Sequence, residues 1–204
     1  MKERGMIFNA EMVNAILSGR KTQTRRPIKW KQTRFTEIAE RDDGSLWPWA
    51  EDCERGGDIW FTCPFGEVGD RIWVRETFRV HSRATDVATL VYRASVQNSW
   101  TEQTHRVPVA VCNKPATPEK WTPSIHMPRW SSRITLEITD VRVERLNSIT
   151  ESDAEAEGVT DTGFGDLLVD GFRYLWKSIY GDDSWQANPW VWVIEFKRVE
   201  GGAA

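Results

Sequence analysis

The chain has 204 residues, a hydrophobic fraction of 40% and a formal net charge of −3 at pH 7, an ordinary globular composition. This mildly acidic balance argues against a general nucleic-acid coat, so contact with nucleic acid would need a local basic patch. Three irregularly spaced cysteines do not form a disulfide framework and favour a reducing compartment. The longest strongly apolar run, residues 190–194, is too short to cross a bilayer, so we expect a soluble, cytoplasmic protein, and favour a monomer.

The first predicted element is a short amphipathic helix that begins after Asn9. Asn9 can cap it, an apolar stripe follows helical spacing, and Gly19 favours a left-handed end. The next segment, SGRKTQTRRPIK at residues 18–29, contains five positive charges. Positive charge is favoured at a helix C-terminus, which accounts for Arg20 and Lys21 only. Pro27 predicts extended backbone at the end of this basic segment.

The middle of the chain alternates between irregular segments and strands. Residues 30–69 are rich in glycine, aspartate and tryptophan with little periodicity, which predicts a long insertion, loop or lid. Alternating apolar residues predict strands in GDRIWVRE at residues 69–76, in ATLVYRA at residues 88–94 and from Ile134 onward. Residues 106–121 are polar and contain prolines, which predicts a connection.

The C-terminal part predicts two helices and a strand. Ser148 and Glu151 have the spacing of a capping box, and Gly158 can end that helix. A stronger amphipathic pattern runs from Phe164 to a stop at Gly181, and PWVWVIEFKRV predicts a buried final strand. Strands outnumber helices without regular βαβ alternation, so we expect an α+β fold with a small β-barrel flanked by helices.

The basic segment is the first candidate for chemistry. If the backbone is extended after Lys21, the period of two puts Thr22, Thr24 and Arg26 on one face. A hydroxyl beside an ammonium and a guanidinium could form a nucleophile or an anion pocket. A solvated basic turn is the structural alternative, and the segment alone does not decide between them.

Four blocks in this order resemble the ASCH domain family, which is named for activating-signal-cointegrator homology. They are GRKTQTRR after the short helix, GDRIWVRE, ITESDAEAEGV, and the closing WVIEFK. The resemblance spans most of the chain, and residues 121–146 look particularly like long ASCH proteins of phages and prophages. It implies one PUA-like domain over residues 1–204, with insertions at about 30–68 and 82–122.

The resemblance also implies a nucleobase- or RNA-facing cleft. In small bacterial members that hydrolyse N4-acetylcytidine, a lysine, a threonine and a glutamate form the catalytic set. These positions correspond to Lys21, Thr24 and Glu157, with Glu155 as the competitor for the glutamate. Thr24 would attack the acetyl carbonyl, Lys21 would accept the hydroxyl proton or stabilise the oxyanion, and Glu157 would act as general base or proton shuttle. The two insertions are departures from these small enzymes and could reshape the cleft.

Other polar residues are candidates for binding rather than catalysis. Arg20 and Arg26 lie beside the implied catalytic set, and Arg129 follows a proline-stiffened loop. These three arginines and Arg25 could contact phosphates of RNA. The remaining candidates each have a structural alternative: Glu76 could contact a ligand or pair with Arg75, His126 could bind a base or the backbone, and Trp130 could stack a base or pack in the core.

Several functions therefore remain open from the sequence. An amidohydrolase acting on an acylated nucleoside is favoured, a non-catalytic RNA-binding module is the main alternative, and a ribonuclease ranks below both. The insertions, including Trp47-Pro48-Trp49, could also bind a host protein. The spacing of Cys53, Cys63 and His81 matches no usual zinc site, so no metal and no cofactor are expected.

Overall fold

The computed structural model describes residues 1–30, 37–52, 54, 56–160 and 167–199. Within these residues the chain forms eleven strands and four α-helices, which confirms the α+β class. The helices are α1 (Ala10–Leu17), α2 (Trp100–Gln103), α3 (Glu151–Ala156) and α4 (Leu168–Tyr180). The strands are β1 (Glu3–Ile7), β2 (Gln23–Pro27), β3 (Glu37–Glu40), β4 (Leu46–Glu51), β5 (Asp58–Trp60), β6 (Arg71–Arg75), β7 (Phe78–Arg83), β8 (Val87–Tyr92), β9 (Thr104–Pro108), β10 (Thr135–Arg145) and β11 (Trp190–Arg198).

The chain folds into two compact units, each assembled from segments that are distant in sequence. Unit 1 contains Met1–Gly19, Asp70–Glu137 and the C-terminal segment from Lys197, and unit 2 contains Arg20–Gly69 and Ile138–Phe196. The assignment of residues 1–204 to a single domain stays a prediction. No helix of the described ranges is both long and apolar enough to span a membrane.

Unit 1 contains two sheets and helix α1. In one sheet β6 lies between β1 and β10, and β1 pairs with β6 in parallel. Ile72 and Val74 of β6 are buried, as their alternation predicts. The other sheet has the order β7-β8-β9, and its apolar side chains form a core around Phe78 and Leu90. The strand predicted at residues 88–94 is therefore confirmed, and part of the predicted polar connection is strand β9.

Helix α1 begins and ends as its sequence predicts. The Asn9 Oδ1 atom accepts a hydrogen bond from the Met12 amide at 2.8 Å, which caps the first turn. Gly19 follows the helix with φ of 77°, a left-handed conformation that a side chain would strain. These local signals fix the point at which the basic segment leaves the helix.

In unit 2, strand β11 pairs with β2, and helices α3 and α4 pack beside them. The final strand is confirmed and so is α4, which ends at Gly181; Phe164 lies outside the described residues. The capping box of α3 consists of Thr150 and Asp153, not Ser148 and Glu151. The helix starts later than predicted because Ser148 belongs to the preceding 3-10 turn.

The irregular segment after Trp30 contains a sheet that the sequence did not predict. Strands β3, β4 and β5 form a three-stranded antiparallel sheet in unit 2. Its first turn contains Gly44 at φ of 80° and Asp43, whose carboxylate accepts a hydrogen bond from the Ser45 amide at 2.9 Å. The sheet was missed because its strands are short and β4 contains Pro48, a residue that cannot donate to a strand ladder. The described strands form open sheets, so the small barrel is not confirmed.

Candidate functional site

The buried part of the basic segment contacts helix α3 within unit 2. The Lys21 Nζ atom donates hydrogen bonds to the Glu157 Oε2 atom at 2.6 Å and to the Glu157 backbone oxygen at 2.9 Å. Thr22 adds a backbone bond to the Ala156 oxygen at 2.8 Å. The structure thus brings together a lysine and a glutamate that are 136 positions apart. Glu155 is exposed, whereas Glu157 is buried.

Arg25, which the sequence offered as a phosphate contact, instead extends this contact into a buried ionic network that the sequence did not predict. Its guanidinium lies 3.4 Å from Glu157, 3.2 Å from Glu144 and 3.3 Å from Asp153, and its side chain has no exposed surface. We call Lys21, Arg25, Glu144, Asp153 and Glu157 the ionic centre. On its outer side, Glu144 and Asp153 also pair with the half-buried Arg142, at 2.6 and 3.3 Å.

The period of two explains which side chains reach the ionic centre. Gln23 and Arg25 lie on one face of β2, and the Gln23 amide nitrogen is 3.2 Å from Asp153. Thr24 lies between them in a regular register opposite Ile194, so its side chain lies on the other face. Among the described residues, no hydrogen bond joins Thr24 to Lys21 or Glu157. Every residue from 20 to 26 is polar, so the sequence carried no signal for which face of β2 meets α3.

The Lys21–Glu157 pair of the ionic centre is enclosed, whereas Glu144 and Asp153 are partly exposed. The side chains of Lys21 and Glu157 are 0% and 2% exposed, respectively. Burial lowers the pKa of Lys21, because desolvation penalises the ammonium more than the Glu157 carboxylate favours it. Burial acts to raise the pKa of Asp153, but the hydrogen bonds from Thr150 and the charge of Arg25 outweigh it and lower that pKa. The groups are arranged to hold β2 and α3 together.

The two remaining basic candidates of unit 2 lie outside the ionic centre. Arg20 is exposed and donates to the Gly158 backbone oxygen at 3.2 Å. Arg26 is half-buried and lies opposite Trp192 in the register of β2 with β11. Only part of the positive charge of the basic segment is therefore available to solvent.

In unit 1, Glu76 is paired with Arg133 and not with Arg75. Arg133 donates from Nε to Glu76 Oε1 at 2.9 Å and from Nη2 to Oε2 at 3.0 Å. Its guanidinium also lies 4.1 Å from the centre of the Tyr92 ring. Arg75 instead stacks on Trp73 and donates to backbone oxygens. Burial raises the pKa of Glu76 despite Arg133, which holds it toward the ionised form.

The other three binding candidates of unit 1 have different environments. His126 is exposed at the end of a 3-10 turn. Arg129 pairs with Glu3 at 3.0 Å. Trp130 packs edge-on against Phe78, with ring centres 6.3 Å apart, so it is mainly a core residue. Unlike the residues of the ionic centre, these three side chains and Glu76 do not form one network of contacts.

A cavity of 370 Å³ lies within unit 1 beside Glu76. Its wall includes the start of α1, and Arg93 is the cation among its lining residues. The lining residues are Ile7, Phe8, Asn9, Ala10, Glu76, Thr77, Arg93, Ala94 and Ser124. Of these, sequence reasoning identified only Glu76 as a binding residue. The others come from four separate segments and carry no shared sequence signal.

Metal ligation has no support from the described side chains. Cys63 and Cys112 are buried as free thiols. No group of three or more histidine, cysteine, aspartate or glutamate side chains in the described part of the chain could hold a metal ion. Cys53, which was considered with Cys63 and His81, lies outside the described residues.

Comparisons with known proteins find remote structural similarity. No family model and no curated protein matches the chain. An ASCH domain from Lactobacillus crispatus JV V101 is 13% identical with a TM-score of 0.42, over 97% of this chain and 79% of that chain. A protein from Enterococcus faecalis V583, of the family DUF984, is 11% identical with a TM-score of 0.41, over 98% of this chain and 81% of that chain. Neither likeness is close enough to assign a function.

Proposed function

We propose that this protein is a nucleobase-binding module that takes a nucleoside monophosphate, or an unpaired nucleotide of RNA, into the cavity of unit 1. The observation that carries the proposal is the cavity of 370 Å³ beside the buried Glu76. Small-molecule sites occupy about 300–1,000 Å³ and combine apolar walls with a few polar groups. The resemblance to ASCH domains supports the same class of ligand.

The lining matches the parts of a nucleotide. Ile7, which is 41% exposed, provides apolar surface for a planar base, and Arg93 provides a cation for a phosphate. Glu76 has about four lone-pair directions, of which Arg133 takes two, so its carboxylate can still accept from an N–H or hydroxyl group. Because Arg133 neutralises Glu76, the carboxylate does not repel a phosphate strongly.

Equilibrium binding to the four nucleoside 5′-monophosphates and to a five-nucleotide single-stranded RNA tests the proposal. Ala94→Phe would fill the cavity, and Arg93→Ala would remove its cation. We expect both to weaken binding about tenfold or more, the factor expected from losing a charged hydrogen bond or the space for a base. Arg106→Ala, an exposed arginine of unit 1 outside the lining, is the matched control. Unchanged binding by a folded Ala94→Phe variant would overturn the proposal.

A second candidate function is deacylation of N4-acetylcytidine at Lys21 and Glu157. The contact of 2.6 Å between these side chains and the lowered pKa of Lys21 favour it, because a desolvated lysine is a better proton acceptor. Enclosure of the pair and the position of Thr24 on the opposite face of β2 favour a structural role instead. This candidate is therefore ranked second.

Release of cytidine from N4-acetylcytidine, followed by chromatography, tests the second candidate. The expected result is loss of activity in Glu157→Gln and in Thr24→Val, with Glu155→Gln as the exposed control on the same helix. Activity is compared per amount of folded protein, because Glu157 is also a structural residue. Full activity of Thr24→Val would remove the threonine nucleophile, and no release by wild type would remove the candidate.

A further inference from the structure

We infer that the small sheet of unit 2 is a docking surface for an arginine-containing basic segment of another protein. Trp47 and Trp49 lie two positions apart on β4 and share a face, and Trp60 of β5 lies directly opposite Trp49. We call these three side chains the tryptophan face. All three are half-buried, so part of each indole remains accessible.

An arginine of the chain itself already occupies the tryptophan face. The Arg41 Cζ atom lies 4.1 Å from the ring centre of Trp47 and 5.1 Å from that of Trp60. Both distances are within the range in which a guanidinium is attracted by an aromatic ring. Trp47 is held from another direction by Trp192, with ring centres 5.3 Å apart. The tryptophan face thus binds a planar cation within the chain itself, and Arg41 indicates that a guanidinium is the group it accepts.

The charge around the tryptophan face selects a basic partner. Residues 37–69 of the sequence contain two arginines and nine carboxylates, a formal charge of −7, whereas the whole chain has a net charge of only −3. The carboxylates belong to Glu37, Glu40, Asp42, Asp43, Glu51, Asp52, Glu54, Asp58 and Glu67, and all except Asp52 are exposed. This field repels phosphates, so a nucleic acid is disfavoured even though tryptophans can stack bases.

The edge of the sheet gives an extended segment a place to lie. β5 is the last strand in the order β3-β4-β5, and its residues Asp58 and Ile59 are exposed. Ile59 is 41% exposed but lies on the opposite face of β5 from Trp60, so it is not part of the tryptophan face. An extended peptide along β5 could place an arginine where Arg41 lies and basic residues near the carboxylates. This inference is independent of the proposed nucleotide cavity in unit 1.

Fluorescence anisotropy with a labelled nine-residue peptide of alternating arginine and glycine tests the inference. We expect binding that weakens from 50 to 300 mM salt, since Coulomb attraction between exposed charges is screened. A peptide with lysine in place of arginine should bind about two- to fivefold more weakly, because lysine lacks the planar guanidinium that stacks on indole. Trp60→Leu should not change the binding of a labelled single-stranded RNA of equal length, because RNA would bind in the cavity of unit 1 and not on this acidic surface.

Arg41→Ala gives the decisive readout. Removing the internal occupant should strengthen binding of the arginine peptide about two- to fivefold, and more than it strengthens binding of the lysine peptide, because loss of the Arg41 charge alone would favour both peptides equally. Trp60→Leu should weaken binding by a similar factor, whereas Trp100→Ala, an exposed tryptophan of unit 1, should not change it. Equal affinity of the wild type and the folded Arg41→Ala variant would overturn the inference, as would equal binding of the two peptides.

Discussion

Replacing Glu157 by glutamine removes one charge from the ionic centre without changing the volume of the side chain. Arg25 keeps Glu144 and Asp153 at 3.2 and 3.3 Å, so it stays paired. Lys21 loses its carboxylate partner, and its side chain has no exposed surface. Removing one partner of a buried ion pair costs about 3–5 kcal/mol, because the remaining charge is left without compensation. We expect Glu157→Gln to lower the free energy of unfolding by about 3 kcal/mol. This is the lower end of that range, because Lys21 can release its proton and so avoid being a buried, unpaired charge.

Replacing the other partner, Lys21, should lower the free energy of unfolding by less. In Lys21→Met the Glu157 carboxylate still has Arg25 at 3.4 Å, so no buried charge is left unpaired. In the double variant Lys21→Met/Glu157→Gln neither group of the pair is charged, and replacing both members of a buried pair is often close to neutral. We expect the double variant to be more stable than Glu157→Gln alone, with a coupling free energy of about 2 kcal/mol.

Urea unfolding at pH 7, followed by far-ultraviolet circular dichroism and by tryptophan fluorescence, measures all four proteins of this cycle. Agreement between the two probes shows that a single transition is being compared. A cost of less than about 1 kcal/mol for Glu157→Gln would refute the reasoning, since that is the value of an exposed pair. Strict additivity in the double variant would refute it too.

Three further substitutions test other parts of the structure by thermal or urea unfolding. Thr150→Ala should cost about 1 kcal/mol because it removes the side-chain cap of α3, whereas Thr150→Ser should retain most of the stability. Gly5→Ala should cost about 1–3 kcal/mol, because the new Cβ atom would lie 2.6 Å from the Trp73 ring. Glu76 has a raised pKa, so its contribution to stability is present below its ordinary value of 4.5 and is lost as pH rises through the raised value. Glu76→Gln should remove that pH dependence, and a stability difference from wild type that is constant with pH would contradict this prediction.

The parts of the fold that were predicted from sequence depend on local signals. Asn9 and Gly19 bound α1, and Gly181 ends α4, because caps and left-handed stops act within a few residues of the helix end. The alternation of Ile72 and Val74 is also a local signal, because residues two apart in a strand face the same side, and it predicted their burial. Such signals need no knowledge of which segments meet in the folded chain.

The parts that were not predicted depend on contacts between distant residues. Arg133 pairs with Glu76 across 57 positions, and nothing local distinguishes it from Arg75 next to Glu76. A period of two states which side chains of β2 share a face but not which face meets α3, so the sequence could not place Thr24 relative to Glu157. Gln23 and Arg25 meet α3, so Thr24 does not. The cavity of unit 1 is likewise a product of four separate segments.

Lys21 and Glu157 hold helix α3 in place, and they would do so even if they also took part in catalysis. Helix α3 has only six residues, and Ala154 is its one buried residue, so apolar packing contributes little to holding it. Its attachment to β2 instead depends on Asp153 and Glu157 meeting Arg25 and Lys21. A substitution at Lys21 or Glu157 will therefore loosen α3 whether or not the pair touches a substrate. Loss of activity in such a variant identifies a catalytic group only when α3 is still in place, and the stability cycle on these two residues supplies that information.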